Sequence, residues 1–350
     1  MIALAVANSG IASSGLSGGR NANSRFKIPL DVDEIPSPSI SKQSALGQLI
    51  RLARLIIWDE APMEKRQTIE YFGRLLQDVC SNQQKFGGKV VVFGGDFRQV
   101  LPVVPKGSLR EVVATSFVMS PLWHELQKIH LTQNMRAINN LPFCNFVLQI
   151  GNGMPPYEDG KNIELPIPLV IPYDNEHSSL HLFVNSIYPD IANTTSESFF
   201  ATKKAILTPK NEHVAKINSQ LVQQQPGRAT EVLTVGSPII LLRNIDLTLG
   251  LCNGTGLVCR AFFPNVNDAE IIVGHHCGQR VFIPRIPLQP SATDKYPFRF
   301  THKQFPINLS FPMTINKSQG QTLDRAGIYL LQPVFSHGQL YVALSRAKKK

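Results

Sequence analysis

Short apolar runs of strand length recur along the chain, and each ends at Gly, Asp, Asn or Gln. Four of them lie in the first half: IALAVA (2–7), RLIIWD (54–59), KVVVFGGD (89–96) and KIHLTQ (128–133). Residues 64–84 have a helical pattern, with apolar positions at Ile69, Phe72, Leu75, Leu76 and Val79. Buried strands that alternate with amphipathic helices predict an α/β fold, in which helices wrap a parallel sheet.

The second half repeats this pattern and adds a stretch rich in strands. KAILTPKNEHVAKINSQL (204–221) predicts a strand, a turn and a helix, and about 231–286 reads as several strands with turns at Asn253-Gly254 and Cys277-Gly278. We interpret this stretch as a small barrel or sheet inserted in a second domain. The predicted organisation is a first domain over 1–150, a connecting segment over 151–200 and a second domain over 201–350.

The charge is unevenly distributed between the two halves. Residues 1–200 carry 17 Lys and Arg against 18 Asp and Glu, whereas residues 201–350 carry 18 against 7. A basic half beside a neutral one is typical of a nucleic-acid partner. On charge alone, a basic surface that serves solubility is an equally good interpretation.

Cysteine usage and hydropathy favour an intracellular, soluble protein. The five cysteines form no C-x-x-C pair, which fits free thiols in a reducing compartment. A zinc site is conceivable, but its spacing is not that of a known finger, and we favour free thiols; its residues would be Cys252, Cys259, His275, His276 and Cys277. No apolar run approaches the roughly 18 residues of a membrane span, and the first residues make a poor signal peptide.

Polar side chains follow two of the predicted strands. Asp59 and Glu60 end one strand, and Gly94-Gly95-Asp96 followed by Gln99 ends another. Ligands bind at the carboxyl ends of parallel strands, and carboxylates there need a cation or a partner. In nucleotide hydrolases such acids hold Mg²⁺ and take a proton from the attacking water, and a neutral amide orients that water. A salt-bridged strand end and an ordinary glycine turn are the alternatives.

Two arginines and a polar late segment complete the candidate set. Arg136 ends LTQNMR, and Arg346 follows the apolar stretch LYVALS. Arginines that converge on a polyphosphate stabilise charge during phosphoryl transfer, although each alone would be interpreted as a surface salt bridge. The segment FPMTINKSQGQTL (311–323) is dense in small donors that suit phosphate contacts.

Taken in order, these stretches resemble the motifs of the PIF-type (petite integration frequency) DNA helicases of superfamily 1, and most closely their Helitron-like branch. The motifs are ALAVANSGIAS…GG, LIIWDEAPM, VVFGGDFRQVLPVV, LTQNMRA, ILTPKNEHVAKIN, PIILLRN…LGLCNGTGL, FPMTINKSQGQTL and LYVALSRA. The resemblance covers nearly the whole chain. It implies two RecA-like domains of the P-loop NTPase type, with a small β-rich module inserted in the second, moving 5′ to 3′ on single-stranded DNA with ATP and Mg²⁺.

The resemblance also assigns roles to individual positions. Asp59 and Glu60 match the metal-binding and water-activating acids, Gln99 the γ-phosphate sensor, and Arg136 and Arg346 the two arginine fingers. Gln319 and Gly320 fall where the family links its nucleotide and DNA sites. The positions that match DNA-contacting residues are Ser9, Gly10, Phe26 and Lys27 in the first domain and Thr314, Asn316, Lys317 and Ser318 in the second.

The chain departs from the family pattern in several places. It contains no G-x-x-x-x-G-K-[ST] loop, which in the family precedes ALAVA by a couple of dozen residues. We therefore expect that loop and its strand to lie upstream of Met1, which leaves the first domain incomplete. Asn21 and Asn23 replace the usual Thr and His, QQQPGRATEV (223–232) is shorter than its counterpart, and the chain stops before an expected closing strand.

These observations lead to two functional hypotheses. The first is an ATP-dependent DNA helicase with roles in DNA repair, recombination or transposition, whose 350 residues alone hydrolyse ATP poorly. The second is a catalytically inactive remnant that binds single-stranded DNA. The expected partner is single-stranded DNA, or a duplex with a single-stranded tail, bound by a monomer that does not associate with membranes. The resemblance places the protein in the nucleus, with the mitochondrion as the alternative.

Overall fold

The computed structural model describes residues 2–29, 32, 40–105, 107–154, 162–189, 204–224, 235–246, 249–272, 274–289, 298 and 300–348. Parts of the predicted connecting segment (155–161 and 190–200) and of the β-rich stretch (231–234) lie outside these residues. The chain forms two compact units. Unit 1 comprises Met1–Glu164, Ser318–Thr322 and Leu330–Lys350, and unit 2 comprises Leu165–Lys317 and Leu323–Tyr329.

A parallel sheet forms the centre of unit 1. Its strands are β1 (Ile2–Ala7), β2 (Arg20–Asn21), β3 (Ala53–Asp59) and β4 (Val90–Phe93), in the order β2-β1-β3-β4. All three pairings are parallel. Three of the four apolar runs in the first half are therefore strands, as the sequence predicts.

Helices of unit 1 connect these strands and cover the sheet. They are α1 (Gly10–Ser14), α2 (Ala22–Phe26), α3 (Ala45–Leu52), α4 (Arg66–Cys80), α5 (Leu109–Thr115), α6 (Leu141–Gly151) and α9 (Gln339–Leu344). Short 3-10 helices cover Ala61–Met63, Lys85–Gly88, Phe117–Met119 and Pro121–Glu125. The helix predicted within 64–84 is α4, and all five of its periodic apolar residues are buried.

Aromatic side chains dominate the core of unit 1. The ring of Trp58 on β3 packs edge-on against Phe72 of α4, and Phe26 of α2 lies against both. Trp58 Nε1 donates to Asn8 Oδ1 at 2.6 Å, so the one polar atom of this buried ring has a partner. Burial of this cluster anchors β3, and with it the polar residues at its carboxyl end.

The fourth apolar run, KIHLTQ, is not a strand. Residues 128–133 form no strand, and the side chains of Ile129 and Leu131 are 80% and 95% exposed. Alternation of apolar and polar residues predicts an edge strand only where a neighbouring strand supplies hydrogen bonds. Within the described residues the sheet ends at β2 and β4, and neither pairs with this segment.

Unit 2 contains a second parallel sheet. Its strands are β5 (Lys204–Thr208), β13 (Pro312–Thr314) and β14 (Arg325–Ile328), in the order β13-β5-β14. Helices α7 (Glu176–Ile187) and α8 (Asn211–Gln224) accompany it, and Phe311 and Ile206 are buried in its core. The strand, turn and helix predicted for 204–221 are thus β5 and α8.

An antiparallel sheet is inserted in unit 2. It contains β6 (Pro238–Leu241), β7 (Gly256–Phe262), β8 (Val266–Ile271), β9 (Arg280–Pro284) and β12 (Ile307–Leu309), in the order β12-β6-β7-β8-β9. A separate hairpin pairs β10 (Ile286–Leu288) with β11 (His302–Gln304). Gly254 and Gly278 have φ of +94° and +85° and lie in the two predicted turns. The α/β fold class with a small β-rich insertion is confirmed.

The two late segments of unit 1 were not predicted to belong there. Residues 318–322 and 330–350 group with the first half of the chain, although the sequence pattern assigned both to the second domain. Helix α9 contacts α6, and Val342 and Ala343 are fully buried. The domain boundaries of 1–150, 151–200 and 201–350 stay a prediction. None of the described helices is long and apolar enough to cross a membrane.

Candidate active site

The carboxyl end of β3 carries the two acids. Asp59 is the last residue of the strand, and the backbone N–H of Glu60 donates to Asp59 Oδ1 at 2.9 Å. Glu60 adopts a left-handed conformation with φ of +56°, which turns the chain into the short helix Ala61–Met63. This conformation is uncommon for a residue with a Cβ and is often found at functional sites.

Backbone hydrogen bonds hold the end of β4 against the end of β3. Gly94 N donates to Trp58 O at 2.8 Å, and Ala61 N donates to Gly94 O at 2.9 Å. A Cβ at Gly95, where φ is +153°, would lie 2.2 Å from Pro62 Cδ. The glycine pair is therefore required by close approach of the two loops, and it brings Asp59 and the segment 96–99 to one edge of the sheet.

Glu60 is a buried carboxylate with one amide partner. Its side chain accepts a hydrogen bond from Gln319 Nε2 to Oε2 at 3.1 Å, and the residue is 8% exposed. Burial raises the pKa of the Glu60 carboxyl above its ordinary value of 4.5, and the Gln319 hydrogen bond opposes this shift. A carboxyl with a raised pKa suits a general base, because it accepts a proton more readily than an exposed acid.

Arg136 and Arg346 lie close to this carboxylate. Arg136 donates to Thr322 Oγ1 at 3.1 Å and to Ser345 O at 2.8 Å. Arg346 is 2% exposed and donates to Val342 O, Gln321 O and Ser345 Oγ. Burial and, to a smaller extent, the charge of Arg136 lower the pKa of the Arg346 guanidinium, the charge of Glu60 opposes them, and the resulting pKa is about 10.

Every hydrogen-bond acceptor of these two arginines is neutral. Within the described part of the chain, neither guanidinium lies within ion-pair distance of a carboxylate. A desolvated charge is costly unless it is paired, so the two cations are suited to an anion that the described part of the chain does not supply.

Two buried amide oxygens at this place also lack partners. Gln99 Oε1 and Gln319 Oε1 are buried and accept no hydrogen bond in the structure. Buried polar atoms are nearly always satisfied, and exceptions frequently mark a place for water or a ligand. The structure thus places all seven residues predicted for the metal and nucleotide site in unit 1: Asp59, Glu60, Gln99, Arg136, Gln319, Gly320 and Arg346.

The residues matched to DNA contacts differ widely in exposure. The ring of Phe26 is fully buried against Trp58 and Phe72, so it has no surface on which a base could stack. Thr314 and Ser318 are buried as well, whereas Lys27 and Lys317 are exposed and Asn316 is half-buried. Only the exposed and half-buried members of this set, which also include Ser9, can reach a phosphate through their side chains in this conformation.

The beginning of α1 and Gly320 form a close contact in unit 1. Ser9 caps α1, since its Oγ accepts from Ala12 N at 3.0 Å, and Gly10 is the first helical residue. Gly320 has φ of +78°, and a Cβ there would lie 3.2 Å from Ala12 Cβ. Gly320 and its neighbour Gln319 therefore reach the start of α1 and Glu60, respectively.

Sequence reasoning missed the pair Asp96 and Tyr341. Tyr341 Oη donates to Asp96 Oδ2 at 2.7 Å, which joins α9 to the loop after β4. Burial and this hydrogen bond raise the pKa of the Tyr341 hydroxyl to about 12. Both residues lie within recognised motifs, GGDFRQ and LYVALSR, but a spacing of 245 positions gives no sign that they meet.

Comparison with known proteins agrees with this geometry. The family model of the PIF1-like helicases matches residues 1–161, and that of the DNA helicase Pif1 2B domain matches residues 218–262. The chain is thus similar to the PIF1-like helicases over residues of both units. The match to the 2B domain falls on α8 and the first two strands of the inserted sheet, β6 and β7.

Curated relatives carry the same family name. The ATP-dependent DNA helicase PIF1 of Danio rerio is 25% identical over 306 residues, which is 84% of this chain and 44% of that protein. The ATP-dependent DNA helicase Pif1 of Bdellovibrio bacteriovorus is 24% identical and covers 88% of this chain and 67% of that protein. The chain spans about half the length of the vertebrate relatives it matches.

Solved structures show the same fold. The Pif1 helicase from Bacteroides in complex with ADP-AlF3 and single-stranded DNA aligns with a TM-score of 0.69 at 22% identity, covering 99% of this chain and 80% of that one. The Pif1 helicase from Candida albicans aligns with a TM-score of 0.67 at 20% identity and covers 99% of this chain and 81% of that one. At these identities the likeness concerns the fold.

Proposed function

We propose that this chain carries the motor core of an ATP-dependent DNA helicase that moves 5′ to 3′ on single-stranded DNA. The observation that carries the proposal is the pair formed by the half-buried Arg136 and the buried Arg346, which donate only to neutral acceptors among the described residues and lie near Glu60. The triphosphate of ATP is an anion of the required charge, and guanidinium groups bind phosphate well.

The residues of the site divide the chemistry among them. Glu60 takes the proton of the attacking water, while Gln319 holds its carboxylate through Nε2. Gln99 orients that water with its amide, and the two arginines stabilise the charge that develops on the transferred phosphoryl group.

Asp59 and Glu60 also fit a divalent cation. Carboxylate oxygens are the donors that Mg²⁺ prefers, and Mg²⁺ is usually held by one or two carboxylates together with water and substrate phosphates. The donor set at the end of β3 meets this requirement, with Asp59 already ordered by the Glu60 N–H. When bound, the cation would neutralise charge on the phosphates.

The DNA-contacting role is proposed for the exposed basic and polar positions. The matched side chains that are exposed or half-buried are Ser9 and Lys27 in unit 1 and Asn316 and Lys317 in unit 2. The excess of 18 basic over 7 acidic residues after position 200 supports binding to a phosphate backbone. A nuclear or mitochondrial placement and a monomeric state belong to the same proposal.

A catalytically inactive, DNA-binding protein is the second candidate. The sequence contains no G-x-x-x-x-G-K-[ST] loop, which in such enzymes supplies a lysine and several backbone donors to the phosphates. Loss of these contacts removes several kcal/mol of transition-state stabilisation, on the order of one or two oxyanion-type donors. We therefore expect slow ATP hydrolysis by the 350 residues alone.

Two assays on the purified chain separate these candidates. The first measures phosphate release from ATP with and without single-stranded DNA, and the second measures the anisotropy of labelled single-stranded DNA with and without nucleotide. The helicase proposal expects nucleotide to change DNA affinity, and expects any DNA-stimulated hydrolysis to vanish in Glu60→Gln. DNA binding that ignores nucleotide favours the inactive protein, and failure to bind single-stranded DNA contradicts both.

A fusion variant sharpens this test. It places a strand and a G-x-x-x-x-G-K-[ST] loop ahead of Ile2, and its matched control carries Ala in place of the loop lysine. Hydrolysis that appears in the fusion, and is lost both in the control and in Glu60→Gln, would show that Glu60, Arg136 and Arg346 are catalytically competent. A fusion that folds and binds DNA but never hydrolyses ATP would contradict the proposed roles of these residues.

A further inference from the structure

The loop that carries Gln99 is held from outside by the start of α9. Tyr341 Oη donates to Asp96 Oδ2 at 2.7 Å, and Asp96 Oδ1 in turn accepts from Arg98 N at 3.0 Å. The Gln99 N–H donates to Asp96 O at 3.0 Å. Asp96 is therefore the shared acceptor that shapes residues 96–99, and Tyr341 fixes its carboxylate.

Close packing supports the same connection. A Cβ at Gly338 would lie 2.4 Å from the Gln99 carbonyl carbon and oxygen, so α9 begins directly against the Gln99 backbone. His337 Nε2 lies 3.0 Å from Phe97 O. A Cβ at Gly151, on α6, would lie 2.7 Å from the Tyr341 ring, which fixes the ring from its other side.

The far end of the same helix carries the second arginine. Arg346 lies two residues beyond the end of α9, and its Nε donates back to Val342 O at 3.0 Å. A helix of six residues is short and is packed against α6, so it transmits displacement between its ends. A displacement of Arg346 would therefore also move Tyr341 and the start of α9.

We propose that Tyr341 is a positioning residue, which joins the Gln99 loop to the Arg346 helix so that the two phosphate-directed side chains move as one body. The functional meaning of this connection rests on the proposed roles of Gln99 and Arg346, whereas the connection itself does not. A change in the bound phosphate at either residue is thus transmitted to the other through the Tyr341–Asp96 hydrogen bond. Tyr341 itself does not contact the nucleotide in this scheme.

Amide hydrogen exchange of the full chain tests the connection directly. In Tyr341→Phe we expect the amides of Arg98 and Gln99 to exchange roughly tenfold faster, because a hydrogen bond to a charged acceptor is lost. The denaturant concentration at the unfolding midpoint should change little, which shows that the faster exchange is local to these two amides. Exchange that is unchanged at Arg98 and Gln99, or that accelerates uniformly over the whole chain, would overturn the proposal.

Matched variants separate positioning from general loosening. Tyr188→Phe removes the hydrogen bond from another buried tyrosine, to Phe311 O at 2.8 Å, and should leave the Arg98 and Gln99 amides unchanged. Asp96→Asn keeps an acceptor for Tyr341 and should retain most of the protection that Asp96→Ala loses. Equal loss in Asp96→Asn and Asp96→Ala would contradict a hydrogen-bonding role.

A glycine pair provides an independent test of the packing. Gly338→Ala places a methyl group against Gln99, whereas Gly153→Ala carries the same backbone strain, with φ of +71° against +72°, and has no atom within 4 Å. Only Gly338→Ala should accelerate exchange at Gln99. Where ATP hydrolysis is measurable, Gly338→Ala should lower kcat and leave KM nearly unchanged. If neither the chain nor its fusion to the phosphate-binding loop hydrolyses ATP, the proposed activity fails, while exchange still decides the connection.

Discussion

Four arginines of this chain occupy two contrasting environments. In unit 1, Arg346 is buried and Arg136 is half-buried, and both donate only to neutral acceptors among the described residues. In the inserted sheet of unit 2, Arg260 is half-buried and Arg280 is exposed, and each donates through two nitrogens to one carboxylate, Glu270 or Asp268. Within the described part of the chain, the two arginines of unit 1 have no carboxylate at ion-pair distance, whereas those of the inserted sheet have one each.

This contrast separates charges that stabilise the fold from charges held for a ligand. In the inserted sheet, the carboxylates lie on the strand next to the arginines, so the pairs add cross-strand contacts and require nothing else. In unit 1, desolvation disfavours the charge of both arginines, and the charge of Glu60 offsets this only in part. Natural proteins retain such costly groups chiefly at functional sites.

The largest expected effect is on nucleotide affinity. Arg346→Gln removes a cation from the proposed phosphate site, and charged hydrogen bonds contribute about 1.5–3 kcal/mol, so binding of a fluorescent ATP analogue should weaken roughly 10- to 100-fold. Arg280→Gln is the matched control, because that guanidinium already has a carboxylate partner. This variant should bind the ATP analogue with unchanged affinity. An equal loss of affinity in both variants would contradict the proposed difference between the two arginine environments.

A second prediction compares buried and paired carboxylates. Glu60→Gln keeps an acceptor for Gln319 and removes the cost of a buried charge, so the free energy of unfolding near pH 8 should rise by about 1–2 kcal/mol. Glu270→Gln should lower it, because the hydrogen bonds from Arg260 lose their charged acceptor. Chemical denaturation of both variants measures the difference, and destabilisation by Glu60→Gln would contradict the prediction.

The pH dependence of this effect has a defined sign. The pKa of Glu60 is raised in the folded chain, so the folded state holds the proton to higher pH than the unfolded state, whose carboxyl titrates near its ordinary 4.5. The free energy of unfolding therefore falls as pH rises from 4.5 through the folded-state pKa and is constant above it. In Glu60→Gln this contribution should be absent, so the two stability curves converge at low pH.

The sequence predicted the parts of the fold that depend on local patterns. Strands β1, β3 and β4 and helix α4 follow from apolar periodicity, and Asp59, Glu60 and Gln99 follow from their positions at strand ends. The segment 128–133 was wrongly predicted as a strand, because alternation cannot show whether a neighbouring strand is present. Burial of Phe26 was missed for a similar reason, since an aromatic ring in a polar segment suits a surface as well as a core.

Long-range contacts were the other part that sequence reasoning could not supply. Residues 318–322 and 330–350 group with unit 1, and they bring Gln319 and Arg346 to Glu60 across more than 250 positions. Family resemblance named these residues without showing which would meet. The Tyr341–Asp96 hydrogen bond was not predicted at all, because neither residue type nor spacing distinguishes it from many other pairs.

A third prediction concerns the stability of the paired arginines. Arg260→Met removes two hydrogen bonds to Glu270 at a partly exposed site, so the free energy of unfolding should fall by about 0.5–1 kcal/mol. Arg346→Met removes a buried cation that has no acidic partner, and its cost should be smaller. Thermal unfolding of the two variants in parallel decides the matter, and a larger loss for Arg346→Met would place that residue among the structural arginines.

The smallest expected effect extends the comparison to the exposed lysines. Lys317→Ala removes one proposed phosphate contact from unit 2, so the slope of log affinity against log salt for single-stranded DNA should become shallower by about 0.7. Lys42 lies outside the set of positions matched to DNA contacts, so Lys42→Ala is the control and should leave the slope unchanged. Because the change is one counter-ion, affinity must be measured over a wide salt range. An equal change of slope in both variants would mean that the chain binds DNA through its overall charge and that Lys317 makes no specific contact with the strand.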